Sequence, residues 1–128
     1  MRWESLREYR TRAGQSDRRG DSGWTPQADV SETDDSFVVV AELPGVRRAD
    51  VDVAATADTL TIRGHRPDPG CEPACYVRLE RGHGPFVRRF TFPSRLAVDA
   101  VQADMKDGIL TITLPKAADA RGRRVEVS

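Results

Sequence analysis

The sequence predicts an all-β, antiparallel sandwich, and three observations carry that reading. Short stretches rich in β-branched and aromatic residues recur at close spacing from Trp24 onward. Several of them alternate apolar and polar residues with the period of a half-buried strand. No apolar stripe at helical spacing interrupts them, which leaves two packed sheets as the way to bury their apolar faces.

Eight strands are expected. Residues 28–32 form a short one, and 36–43 (SFVVVAEL) a stronger one that Pro44-Gly45 ends. In 50–55, Val51, Val53 and Ala55 alternate with Asp52 and Ala54; in 59–66, Leu60 and Ile62 alternate with Thr61 and Arg63. Residues 67–74 hold Pro, Gly and Asp and read as loop, with a short strand at 76–80 (YVRLE) beyond it. Residues 85–92 (PFVRRFTF) put Phe86, Phe90 and Phe92 on one face. Alternate aromatics in a strand are core residues, so these three are assigned to the interior. Arg88 projects to the same side and needs a partner or an interface; an ion pair at a dimer interface is expected. Residues 101–106 turn through Asp107-Gly108, a favoured hairpin dipeptide, into 109–114 (ILTITL), which Pro115 stops.

The ends differ in texture. Residues 1–23 are a polar, Arg-rich arm, either flexible or a short helix carried by Trp3, Leu6 and Tyr9. Residues 117–128 are a polar extension, apart from Val125-Glu126-Val127, whose two valines fall on one side of an extended segment.

The chain of 128 residues suits one domain with tails. Its 20 basic and 20 acidic residues cancel, so nucleic acid is not expected as a partner, because phosphate binding needs a clustered basic excess. All the basic residues but Lys106 and Lys116 are Arg, which prefers planar, bidentate pairing with carboxylates, so inter-subunit ion pairs are as good a reading as an anion site. No apolar run approaches the roughly 20 residues that span a bilayer, so no stable membrane insertion is expected. With no apolar secretory stretch at its charged start, the expected compartment is the cytoplasm.

Chemistry-bearing motifs are sparse. Cys71 and Cys75 are spaced as some zinc ligands are, with His65 before and His83 after, but the histidines stand singly. A redox-sensitive disulfide is an alternative in an exposed loop. Two free thiols and two surface histidines is the plainer reading, and no metal or cofactor is expected. There is no Gly-rich phosphate loop, no G-x-S-x-G and no H-E-x-x-H, so the chain is not expected to be an enzyme and no catalytic residue is assigned.

Three segments carry a resemblance. Residues 41–46 (AELPGV) end a strand, 84–93 (GPFVRRFTFP) follow the pattern G-x-F-x-R-x-F-x-L-P with Phe92 in place of Leu, and 103–110 (ADMKDGIL) follow A-x-x-x-n-G-v-L. In this order, over residues 24–116, the chain resembles the bacterial type of the small heat-shock protein family, built on the α-crystallin domain. Val125-Glu126-Val127 is similar to that family's I-x-I/V tail. The arm is short and poor in Phe and Leu beside typical members.

The resemblance implies an immunoglobulin-like β-sandwich and an ATP-independent, stress-responsive holdase. Such a protein binds unfolding clients and assembles with itself, through dimers, into homo-oligomers. It implies a dimerisation loop at about 67–83, with Tyr76, Val77, Leu79 and Arg88 at the interface. It further implies a groove between edge strands offering Val51, Val53, Val101, Ala103 and Met105, in which Val125 and Val127 of a neighbouring subunit would dock. The linker 117–124, as a flexible coil, spans about 16 Å. Alternatives are a client-specific co-chaperone on the same sandwich, or a redox or metal sensor acting through Cys71 and Cys75.

Overall fold

The computed structural model describes residues 24–67 and 77–120. Its strands are β1 (Ala28–Glu32), β2 (Ser36–Glu42), β3 (Val51–Ala55), β4 (Thr59–Arg66), β5 (Gly84–Thr91), β6 (Gln102–Lys106) and β7 (Ile109–Pro115). They form two antiparallel sheets, one ordered β1-β2-β7-β6 and the other β3-β4-β5. The all-β sandwich is as expected, with strand limits within one or two residues of those read from the sequence.

Alternation decides which faces meet. In β2 the inward residues are Phe37, Val39 and Ala41, and the register sets them directly opposite Leu114, Ile112 and Leu110 of β7. All six are buried. On the other sheet Leu60 and Ile62 of β4 face inward beside Phe86 and Phe90 of β5. The layers meet where the Phe37 and Phe92 rings approach to 4.6 Å. Each fully buried side chain of this size contributes about 1.5–3 kcal/mol, so this central face supplies most of the driving force.

Two glycines are dictated by space and backbone. Gly64 lies opposite Phe86 in the β4–β5 ladder, and a Cβ there would fall 2.4 Å from the Phe86 ring. Asp107 and Gly108 both have positive φ, 53° and 78°, as the two-residue turn joining β6 to β7 requires.

The side of the sandwich bounded by β1 and β5 is closed by residues 24–27. The Trp24 indole donates to Gly84 O at 3.1 Å and its ring meets Phe86 edge-on. Arg66 stacks on the same ring at 3.8 Å and donates to the carbonyls of Gly82 and Pro44. It thereby ties the two stems of the long loop together. Burial first, and the neighbouring Arg81 second, hold the Arg66 pKa below its ordinary value.

The strand expected at 76–80 is not formed by its described part. Val77 is fully exposed, Leu79 is half exposed, and residues 77–80 join no sheet among the described residues. A strand needs a ladder, and this segment has none among the described residues. Tyr76 lies outside the described residues, as do the arm 1–23, Cys71 and Cys75.

The end of β7 is anchored more firmly than a polar extension suggests. Lys116 is buried, and its ammonium lies 2.8 Å from Glu32 Oε2, with the Phe37 ring 5.1 Å away. Its N–H donates to Asp35 O at 2.7 Å, and the Ala117 N–H donates to Arg95 O at 2.8 Å. Arg95 also pairs with Asp119, within a short turn at Ala118–Ala120. Residues 117–120 are therefore part of the folded domain, and the expected flexible linker begins no earlier than residue 121.

Removing one partner of a buried ion pair leaves the other charge uncompensated. Lys116→Ala should therefore lower unfolding stability by roughly 3–5 kcal/mol in urea titrations at fixed protein concentration. Lys116→Met with Glu32→Leu should recover a substantial part of it, because the paired loss leaves no buried charge behind.

Candidate functional site

The side opposite residues 24–27 receives no such cover from the described residues. There the edge strand β3 of one sheet lies beside the edge strand β6 of the other; among the described residues β3 pairs only with β4, and β6 only with β7.

Hairpin geometry fixes where the spare backbone groups of these edges point. The two-residue turn at Asp107-Gly108 makes Lys106 and Ile109 a hydrogen-bonded pair. Alternation then commits Asp104 and Gln102 to β7, and leaves Met105 and Ala103 with N–H and C=O directed away from it. The Met105 carbonyl accordingly accepts a bond from outside the sheet, from Arg48 Nη2 at 3.3 Å. On β3 the closing pair is Thr56 with Thr59, whose N–H and C=O meet at 2.8 Å. Ala54 and Asp52 are thereby committed to β4, while Val53 directs its N–H and C=O outward; the Val51 N–H is held by Arg48 O in the preceding turn.

Between these edges runs a cleft of about 320 Å³, lined by Arg48, Val51, Val53, Ala103, Asp104, Met105 and Leu110. Leu110 is a buried core residue and forms its floor. Val51, Val53 and Met105 are half-buried against the core, while Asp52, Asp104 and Lys106 are exposed. The arrangement offers outward backbone donors and acceptors above a strip of aliphatic surface. Chemically, it suits a chain in extended conformation that presents apolar side chains at alternate positions.

Four of the five residues expected to share a groove, Val51, Val53, Ala103 and Met105, line this one cleft. Val101 does not; it precedes β6 after the turn at Val98–Ala100 and packs against the core. Arg48, Asp104 and Leu110 were not foreseen there. The alternation of β7 could have pointed to Leu110, but nothing local in the sequence marks Arg48, which acts across the gap between sheets.

Arg88 lies on the closed side. It is 8% exposed, donates to Pro26 O at 2.6 Å and stacks over Phe90 at 4.9 Å. Within one subunit the chain thus supplies an acceptor for one nitrogen of this guanidinium. Such a carbonyl 62 residues away leaves no local sequence signal. Val77 and Leu79 are among the exposed large apolar residues of the surface.

His65 is exposed in β4, and His83 is half-buried at the foot of the long loop. No three His, Cys, Asp or Glu residues come together as a metal site among the described residues, and nothing supports a metal or redox sensor. No helix among the described residues is long and apolar enough to cross a membrane. The tail residues Val125 and Val127 lie outside the described residues.

Comparison with known proteins bears on this geometry. The family model for the Hsp20/alpha crystallin family matches residues 29–128. The chain is 33% identical over 129 residues to spore protein SP21 of Stigmatella aurantiaca, across 100% of this chain and 76% of that protein. It is 36% identical over 103 residues to small heat shock protein C2 of Rickettsia felis, across 80% and 67% respectively. Among solved structures, heat shock protein 16.0 from Schizosaccharomyces pombe superposes with a TM-score of 0.74 at 29% identity, covering 89% of this chain and 82% of that one. A small heat-shock protein from Xylella fastidiosa, described as having a distinct high order structure, gives 0.69 at 34% identity, covering 84% and 99%. The chain, matched over most of its length, belongs to the Hsp20/alpha crystallin family, and that membership supports a chaperone role.

Proposed function

We propose that the protein is an ATP-independent holdase of the cytoplasm, which captures unfolding chains in the β3–β6 cleft and keeps them from aggregating. The observation that carries this reading is the open cleft, where aliphatic surface and outward backbone groups occur together. An unfolding protein exposes the complementary pair, apolar side chains on a backbone that has lost its hydrogen bonds. Aliphatic surface and backbone groups are features that many clients can meet.

The same cleft is the proposed dock for Val125 and Val127 of a neighbouring copy. Four residues separate Ala120 from Val125, an extended reach of at most about 18 Å over the five steps. Burial of one valine is worth at most about 1.5–3 kcal/mol, and ordering the tail offsets much of it. A single tail is then a weak, exchangeable latch, and a stable assembly uses many at once. The Xylella fastidiosa relative, with its high order structure, supports self-association here. Tyr76, Val77 and Leu79 are the proposed dimer contacts on the long loop; Val77 and Leu79 stand exposed and available for them.

Purified protein without nucleotide should suppress heat-induced light scattering by several unrelated clients at near-equimolar subunit ratios. Met105→Glu, which sets a charge in the cleft, should abolish most of that suppression while circular dichroism stays unchanged. Protection of one client alone would favour the client-specific co-chaperone reading.

Val125→Gly with Val127→Gly should reduce the assembly to dimers in size-exclusion chromatography with light scattering. An unchanged mass would remove the tail from the assembly mechanism.

A further inference from the structure

Arg48 stands at one end of the cleft. It opens the turn Arg48–Asp50 that leads into β3, while its guanidinium reaches Met105 O on β6 at 3.3 Å. That bond bridges the two sheets, and its acceptor is one of the outward carbonyls that a segment added to β6 would use. A segment entering this end has to displace the guanidinium.

The displaced guanidinium is exposed, so it passes to water or to a better acceptor carried by the docked segment. The neighbouring Arg47 is engaged with Asp50 at 2.9 Å. Asp104 lines the same cleft, but it lies one position from Met105, on the other face of β6, and forms no ion pair with Arg48. The exposed Lys106 adds a second positive charge to this end. A carboxylate brought in by the docked segment answers the local balance, and the planar fork of Arg suits it better than the carbonyl it leaves. In Val125-Glu126-Val127 the carboxylate sits between the two valines. With both valines turned into the cleft, alternation turns Glu126 to the solvent side, toward which the guanidinium is pushed.

We propose that Arg48 is the specificity-determining residue of the cleft: it exchanges Met105 O for the carboxylate of Glu126 from a neighbouring copy, so that an apolar–acidic–apolar segment is preferred over one with a neutral or basic centre. This rests on the docking reading given above.

The test uses four full-length proteins: the parent, Arg48→Glu, Glu126→Lys and the double variant. Each is diluted at low salt and followed by size-exclusion chromatography with light scattering. Each single variant should raise the concentration of half-dissociation about fivefold, as expected for one exposed pair. The double variant should return toward the parent, and the differences should collapse in about 0.5 M salt. A purely structural role for the Arg48–Met105 bond would not be rescued by Glu126→Lys. Single variants that match the parent, or a double variant no better than either single, overturn the proposal. The variant with Val125→Gly and Val127→Gly separates the two failures. If it dissociates while the charge series is flat, only the role of Arg48 falls; if it stays assembled as well, the docking reading falls with it.

Discussion

The structure depends on an imbalance between two sides of one sandwich. Two stacked sheets necessarily present four edge strands, here β1, β6, β3 and β5. Residues 24–27 close one side, through the Trp24 indole, the Pro26 carbonyl held by Arg88, and the Gln27 carbonyl that accepts from Glu42 N–H at 2.9 Å. The other side receives no such segment from the described residues. Its backbone groups stay directed outward over Val51, Val53, Ala103 and Met105, and the proposed activity follows from that asymmetry.

An open edge is also a hazard, since it can pair with any extended chain, including another copy in the wrong register. The edge strands carry the usual restraints. Both are only five residues long, and Asp52, Asp104 and Lys106 project from their outer positions into solvent. Charges on that face discourage flat sheet-to-sheet extension while leaving the inner, aliphatic face accessible. The cleft thereby admits a single strand more readily than a second sheet. A holdase needs that compromise, because it must keep apolar surface available without precipitating through it.

Much of this was legible in the sequence because it is local. The alternation of Phe37, Val39 and Ala41, and of Leu60 and Ile62, encodes its own inward face, and Asp107-Gly108 encodes its hairpin. The four cleft residues on β3 and β6 followed from the resemblance, since alternation alone does not say which edges become neighbours. What escaped is what the fold creates between distant positions. Lys116 looks like the start of a polar tail, yet Glu32, 84 residues earlier, makes it a buried anchor. Arg88 finds an acceptor in Pro26, 62 residues earlier, and Val101 sits just before β6, outside the lining of the cleft. The short strand expected at 76–80 has strand-like composition, but composition does not supply an edge to pair with.

The most direct test of an open, receptive edge is residue-resolved hydrogen exchange of the amides of Val53, Ala103 and Met105, in dissociated subunits and in the assembled protein. Rapid exchange is expected in the dissociated form, while the neighbouring Asp52 and Asp104 amides, which bond within their sheets, stay protected. The three outward amides should slow on assembly or on addition of an unfolding client. Protection of those three already in the dissociated subunit, or no change when assembly or client capture occurs, would contradict an open edge.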